Sequence, residues 1–530
     1  MVEIAQHPWL WRIIELMAAV FILMVGLAIL ATIVIYFIDR FQTKHAIRHN
    51  YPVIGRFRYL FEELGEYFRQ YFFAMDREEM PFNRAQRAWV YRAAKGEDTT
   101  VAFGSTRDLR PAGTIMFVNS AFPPLDSQFL QPAMVEVGPY CDRPFRTASF
   151  FNISAMSFGA LSEPAVRALS HGAARAGCWM NTGEGGLAPY HLEGGCDVIF
   201  QIGTAKYGVR THDGALDKDK LRKIAAHDQV KMFEVKLSQG AKPGKGGILP
   251  GQKVTKQIAE IRGIPVGHDS ISPNRHPEID SFEDLLDFLE EIRAVTGKPV
   301  GFKMVIGAYD FLDDFFDEIN RRGIERAPDF ITIDSADGGT GAAPMPLIDY
   351  MGLPIWESLP MVVDALERHR LKSRIRVIAS GKLINPAEVA WALAVGADFV
   401  NSARGFMLSI GCIQALQCHK NTCPTGVTTH DKRLQAGLDI TDKSERAARY
   451  AKRITYEVCM IAHSCGVDEP RKLRRSHARI MSPDGISVSL EEYYRAWMSP
   501  EALPSAEGLS RPRFAPTGSI GGHISERRAG

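Results

Sequence analysis

The sequence predicts an α/β protein built on a (β/α)8 TIM barrel, with an N-terminal transmembrane helix and helical flanking segments. Three observations predict it. Eight short apolar runs alternate with helical stretches from residue 150 onward, over about 260 residues, close to the ~250 typical of such barrels. Glycine and polar residues gather directly after these runs, where barrel enzymes build their sites. Near the N-terminus, Leu16 to Ile38 form 23 residues without a charge.

That apolar run, LMAAVFILMVGLAILATIVIYFI, suits a helix. At about 1.5 Å per residue it is long enough for a hydrocarbon core of about 30 Å. Trp9 and Trp11 precede it and Tyr36 lies near its end, where aromatic anchors are favoured. A cleaved signal peptide fits less well, because no basic segment precedes the run and bulky YFIDRF follows it. Arg12 is the one Lys or Arg before the span, whereas Arg40, Lys44, Arg48, Arg56 and Arg58 follow it. The excess of positive charge predicts a single-pass anchor in the cytoplasmic membrane, with the rest of the chain in the cytoplasm.

The anchor occupies residues 1–40, and a helical and irregular connecting region follows at 41–149, with 111–149 read as irregular. The barrel region is 150–430. Its strand candidates are FFNISAM, CWMNTGEGG, VIFQIGT, MFEVKLSQ, PVGFKMVIG, FITIDSADGG, RVIASGK and FVNSARG. An open doubly wound sheet is the runner-up, but no G-x-G-x-x-G follows a first strand. Residues 431–500 read as helices, and 501–530, rich in Pro, Ser, Gly and Arg, as a disordered tail.

Apolar residues make up 45% of the chain, enough for a large core, and a net charge of +2 argues against a nucleic-acid surface. Eight cysteines in 530 residues make no disulfide framework, in keeping with a reducing compartment. Three of them, Cys412, Cys418 and Cys423, crowd into GCIQALQCHKNTCPTG. On a straight helix Cys412 and Cys418 would point about 120° apart. They converge only if the chain bends between them and loops after His419; Pro424 ends any helix there. Spacing alone leaves three readings open: small buried hydrophobes, zinc with His419 as fourth ligand, or an iron–sulfur cluster.

GCIQALQCHKNTCPTG resembles the cluster segment of the glutamate synthases. The resemblance extends in order through ISAMSFGALS, NTGEGG, KLSQGAKPGKGGILPG and DSADGGTGAAP, over roughly residues 110 to 430. It implies the synthase barrel that binds FMN, with Cys412, Cys418 and Cys423 holding a [3Fe-4S] cluster. It also implies reductive amination of 2-oxoglutarate by ammonia. For FMN the matching residues are Ser154, Ala155, Met156 and Ser157, then Lys303, a cation suited to stabilise a reduced flavin. Asp337, Gly338, Gly339, Gly341, Gly381, Ser402, Ala403 and Arg404 complete the set, in turns after the last strands where barrels bind phosphate. Gln239, Lys242 and Arg262 match the substrate residues; Lys242 offers a point charge and Arg262 a bidentate fork for a carboxylate. Glu184, at the ammonia side in the family, is expected to orient ammonia or to pair with Lys242. Lys242, Glu184 and Gln239 are therefore the catalytic candidates.

The sequence also departs from the family. Met1 and Val2 stand where the large enzymes begin with a nucleophilic cysteine, so a stand-alone form without the glutaminase domain is expected, using free ammonia or a separate ammonia source. Neither a C-x2-C-x2-C run nor a dinucleotide fingerprint is present, which predicts an external electron donor such as a ferredoxin or a reductase subunit. GHDSISPNRHPEI differs from the family's version, and SGK replaces the usual DGG after strand seven. Two alternatives keep the cofactors: a flavin oxidoreductase on another 2-oxo or amino acid, and a redox subunit of a membrane complex.

Overall fold

Eight parallel strands close on themselves in the computed structural model, which describes residues 8–42, 44–125, 132–308 and 310–498. The tail expected to be disordered at 501–530 lies outside the described residues. In chain order the barrel strands are β1 (Phe151–Ile153), β2 (Met180–Asn181), β3 (Val198–Ile202) and β4 (Val230–Lys236). Then come β5 (Val300–Met304), β6 (Phe330–Asp334), β7 (Arg376–Ser380) and β8 (Phe399–Ser402). Each pairs with the next, and β8 closes on β1 through Ser402 opposite Ile153. This is the predicted fold, and each predicted run supplies one strand. The runs are mostly apolar because both faces are covered, and every residue of β3 and β6 is buried, the polar Gln201, Thr332 and Asp334 included.

The helices between strands carry local start and stop signals. Glu163–Ala176 begins at Ser162, whose side chain accepts from the Ala165 amide, and ends at Gly177 in a left-handed conformation. Phe282–Thr296 opens with a Ser281/Asp284 capping box, and Pro386–Val395 with Asn385/Glu388. The long helix Ile440–Ser464 packs across Glu163–Ala176 at Gly172, where an added Cβ would lie 2.7 Å from that of Ala447.

Parts of the region 111–149 are more ordered than expected. Val135–Val137 and Phe145–Thr147 form an antiparallel hairpin. Its Val137 and Phe145 pack with Trp179, Ile199, Met232, Phe330, Ile378 and Phe399 near the N-terminal ends of the strands. Ile115–Phe117 pairs with Ala478–Met481, which pairs with Ser487–Ser489, so part of the region read as C-terminal helices is sheet. The barrel bottom is thus packed shut, and chemistry is left to the opposite end.

The chain divides into two compact units at Ala85 and Gln86, and the barrel belongs to the second. The first contains α1 (Pro8–Phe41), long and apolar enough to cross a membrane, with its apolar window wholly exposed. A short helix, Ala46–Asn50, leads to α2 (Gly55–Phe68). Asp39, at the end of α1, is 1% exposed and accepts from Arg56 Nε and Nη2, both at 2.8 Å, and from the Val53 amide at 3.0 Å.

Candidate active site

The C-terminal mouth of the barrel gathers charge that the strands themselves project. Glu234, in mid-β4, is fully buried and accepts hydrogen bonds from Asn181, Gln201 and Thr332, one from each of β2, β3 and β6. Nearer the mouth, Lys303 of β5 lies 3.1 Å from Asp334 Oδ2 of β6. Burial opposes the Lys303 charge, but Asp334 and Glu234 outweigh it and raise its pKa. Lys303 therefore carries a counter-ion that sequence reasoning missed.

Glu184 sits on the turn after β2, between Gly203 and Gly247. A Cβ on Gly203 would lie 2.6 Å from that of Glu184, and one on Gly247 would lie 2.4 Å from Oε1. Its Oε1 accepts from Lys236 Nζ at 2.7 Å. Burial pushes the carboxyl up, yet Lys236, Lys242 and Arg262 together pull its pKa below the ordinary value. The expected Glu184–Lys242 pair is thus corrected. Lys236, closer along β4, takes the direct contact, while Lys242 Nζ donates to the Ala342 carbonyl at 3.1 Å and acts on Glu184 through space. Burial, then Lys236, lower Lys242 to about 8.

Gln239 and Lys242 are held by the loop after β6. Gln239 Nε2 donates to Thr340 Oγ1 at 3.0 Å, and the Gly240 amide to Asp334 Oδ2 at 2.9 Å. Arg262 reaches the same mouth from the helix Lys256–Arg262. It is 5% exposed, stacks over Tyr207 at 5.1 Å, and donates to Ser270 Oγ at 3.1 Å and to the Phe158 carbonyl at 3.3 Å. Its buried Nε has no hydrogen-bond partner among the described residues. His276, from the departing PNRHPEI segment, is also buried here. Its Nε2 donates to the Lys236 carbonyl at 3.0 Å, and burial lowers its pKa to about 4, so the ring is neutral. Glu234, Lys236 and His276 were not singled out from sequence. Charged residues inside otherwise apolar strands, as in MFEVKLSQ, were the available signal.

The residues matched to FMN converge beside this set. The Ser154 amide donates to the Ser402 carbonyl at 3.1 Å, and Ser154 Oγ lies 3.4 Å from Ser380 Oγ. The Met156 amide reaches the Asn181 carbonyl at 3.4 Å, and Ser157 packs on the NTGEGG turn, where a Cβ at Gly183 would lie 2.7 Å from its amide nitrogen. Ala155 lies between them, half-buried. Gly381, at φ +121°, passes so near Ser335 that a Cβ would lie 2.3 Å from the serine Cβ. A Cβ at Gly339 would lie 2.9 Å from Arg404, while Gly338 packs on Gly240 and Gly341 is open. Arg404 follows Ala403 and donates to the Asp337 carbonyl at 3.1 Å; Lys382 Nζ lies 2.7 Å from Asp337 Oδ2. Arg404 and Lys382 place two cations around Asp337, beside glycine turns. That donor set fits a phosphate, and Lys382 belongs to the SGK departure to which sequence reasoning gave no role.

The cysteine segment is loop, not helix. Arg404–Ser409 ends before it, and Gln414, Leu416 and Asn421 turn the chain with positive φ of 58°, 55° and 58°. The three thiols act on one another electrostatically, and burial raises Cys412 to about 12. Thr428 is buried near Cys418 and Cys423, and its hydroxyl oxygen has no hydrogen-bond partner among the described residues. Among the described residues no three His, Cys, Asp or Glu side chains gather tightly enough to hold a single ion. The donor set on this loop is three free thiols, the soft ligand type that iron–sulfur clusters take.

Residues 121–468 match the family described as the conserved region in glutamate synthase. The chain is 40% identical over 504 residues to the glutamate synthase large subunit-like protein YerD of Bacillus subtilis, covering 88% of this chain and 95% of that one. It is 34% identical over 342 residues to the archaeal-type glutamate synthase [NADPH] of Thermotoga maritima, covering 64% of this chain and 63% of the relative. To the archaeal glutamate synthase [NADPH] of Methanocaldococcus jannaschii the identity is 32%, over 64% and 63% of the two chains. Solved structures that resemble it include a flavocytochrome b2 variant with benzoylformate (TM-score 0.45, 14% identity, 78% of this chain and 84% of that chain). A mandelate oxidase variant gives 0.41 at 16% identity, over 79% and 99%; both likenesses are too loose to bear on chemistry. From its family match across most of the barrel unit, the chain belongs to the glutamate synthase family.

Proposed function

We propose that this chain is an FMN- and iron–sulfur-dependent oxidoreductase of the glutamate synthase type, converting 2-oxoglutarate and ammonia to glutamate. One observation carries the reading. Lys236, Lys242 and Arg262 all act on Glu184 in a buried mouth, and three cations against one carboxylate leave two positive charges. A dicarboxylate is the matching ligand, and the buried Arg262 Nε, with no partner among the described residues, is a donor that a carboxylate would take up.

Within that site Arg262 holds one substrate carboxylate and Lys242 the other, which orients the 2-oxo carbon. Lys236 keeps Glu184 ionised, and the carboxylate accepts from ammonia and positions it. Ser154 to Ser157, Lys303, Asp337, Gly338, Gly339, Gly341, Gly381 and Ser402 to Arg404 would hold FMN, and Cys412, Cys418 and Cys423 the cluster. When bound, these groups supply two-electron reduction and a one-electron entry, respectively. Electrons come from a separate donor, and α1 anchors the chain in the cytoplasmic membrane with the barrel in the cytoplasm. The exposed apolar surface of α1 and the Lys/Arg excess after it support that placement.

Purified full-length protein, supplied with 2-oxoglutarate, ammonium and a chemically reduced viologen, is expected to form glutamate. It should carry flavin absorbance and about three irons per chain. Flavin and iron without any amino-acid product would make it a redox subunit; bound zinc without iron would remove the cluster.

A further inference from the structure

The membrane span does not account for the apolar surface of the first unit. Helix α2 carries Phe57, Leu60, Phe61, Leu64 and Phe68 at helical spacing, and Phe72 continues the stripe into the next turn. All six are exposed, Phe61 at 63% and Phe72 at 74%. Phe57 stacks on Phe61, with ring centroids 6.4 Å apart, and Phe68 packs on Phe72 at 5.7 Å, with Leu60 and Leu64 on the same face, so the stripe is an apolar ridge rich in aromatic rings. The opposite face carries Arg58, Glu62 and Glu63, also exposed. A polar helix in water has no use for such a ridge, which is large enough to demand a partner.

The start of α2 is pinned. The carboxylate of Asp39, one residue past the apolar run of α1, holds Arg56 in the first turn of α2 by paired hydrogen bonds and the Val53 amide by another. The ridge therefore starts at the level where the span ends. Arg40, Lys44, Arg48 and Arg58 lie in the same stretch of chain, a basic collar suited to anionic headgroups, while Arg56 is committed to Asp39. We infer that α2 is a second membrane element, an interfacial helix whose aromatic ridge lies among lipid headgroups and upper acyl chains at the foot of α1. This rests on the reading of α1 as a span. It gives the anchor a fixed height and azimuth relative to the bilayer, which a single-pass helix alone leaves free.

The test uses full-length protein reconstituted in phosphatidylcholine–phosphatidylglycerol vesicles. Phe61→Trp is compared with Glu63→Trp on the polar face, each as a difference from the parent spectrum. The difference signal of the Phe61→Trp variant is expected to be blue-shifted. Bromine-labelled acyl chains should quench it severalfold more than the signal of Glu63→Trp, which iodide should quench instead. Equal iodide quenching of both variants in protein that resists carbonate extraction would overturn the interfacial helix and leave the span standing. Protection of Phe61→Trp from both quenchers would mean that protein, either a second copy or a partner, covers the ridge, and would overturn it too. Release of the protein by carbonate would sink the span reading, and this inference with it.

Discussion

Lys236 Nζ lies 2.7 Å from Glu184 Oε1, and the contact joins strand β4 to the turn after β2 across the barrel mouth. The pair is inside the protein, with side chains 7% and 17% exposed. It sets which of the neighbouring cations stay available: Lys236 is committed, while Lys242 and Arg262 face the same carboxylate without touching it.

Glu184→Gln separates binding from turnover. Removing the negative charge leaves the mouth more positive, so affinity for 2-oxoglutarate should hold or improve. Glutamate formation should fall by about a hundredfold or more, the scale of a lost positioning carboxylate. Calorimetric titration of 2-oxoglutarate alongside steady-state assay checks this. A parallel loss of affinity would place Glu184 in substrate binding instead.

Arg262→Ala should weaken substrate binding, with some loss of stability from its contacts to Ser270, Phe158 and Tyr207. A lost charge-assisted hydrogen bond costs about 1.5–3 kcal/mol, roughly a 10- to 150-fold rise in KM for 2-oxoglutarate. If KM for 2-oxoglutarate does not move, the dicarboxylate reading is wrong.

Lys242 gives the site a pH limb. Burial first, then Lys236, hold its pKa at about 8, with Lys245 adding to the repulsion and Glu184 opposing it. The dianion needs the ammonium form, so affinity for 2-oxoglutarate should weaken as pH rises through about 8, and Lys242→Met should abolish that dependence. Stability of the free protein runs the other way. The unfolded chain holds this proton up to the ordinary lysine value, so the folded state gains between about 8 and that value. Titrations of binding and of urea unfolding across this window check the opposite signs.

The barrel was legible because its strands are buried on both faces and read as short, mostly apolar runs bounded by glycine and polar residues. The positions of Ser154, Gly338 and Ser402 followed from chain order, since consecutive strands bring their ends to one rim. The partners were not legible. Glu234 and Lys236 lie in the strand MFEVKLSQ, and which carboxylate meets which lysine depends on the stagger between strands, a property of the closed sheet. The hairpin at 135–147 was missed because its strands are three residues long, too short for alternation to register.

Gly240→Ala tests the contact that shapes the substrate loops. A Cβ there would lie 2.1 Å from the Ser335 carbonyl oxygen and 2.8 Å from Gly338, both backbone atoms that cannot rotate away. The loops after β4 and β6 must part, which strains the Gly240–Asp334 hydrogen bond beside Lys303. A loss of about 1–3 kcal/mol in urea unfolding is expected, together with weakened flavin retention. Retained stability with flavin in place would show that the loops part at no cost.

Lys253 carries the last prediction. Its side chain is 2% exposed, and Nζ donates to the Ala160 carbonyl at 2.9 Å and to the Cys418 carbonyl at 3.3 Å. It thus ties the SFGALS segment, on the FMN side, to the cysteine loop, and places a buried cation beside the Cys418 and Cys423 sulfurs. Adding an electron to a cluster adds negative charge, which a fixed cation favours. Lys253→Met should therefore lower the cluster's midpoint potential by about 59 mV for each tenfold change in the one-electron equilibrium, with iron content unchanged. Lys253→Arg, which keeps the charge, should restore most of the shift. Potentiometric titration followed by electron paramagnetic resonance reads the potential, and iron analysis reads occupancy. Iron retained at an unchanged potential would reduce Lys253 to a structural tie. Iron lost from the methionine variant but kept in the arginine variant would show that the cation is needed to assemble the thiolates in the first place.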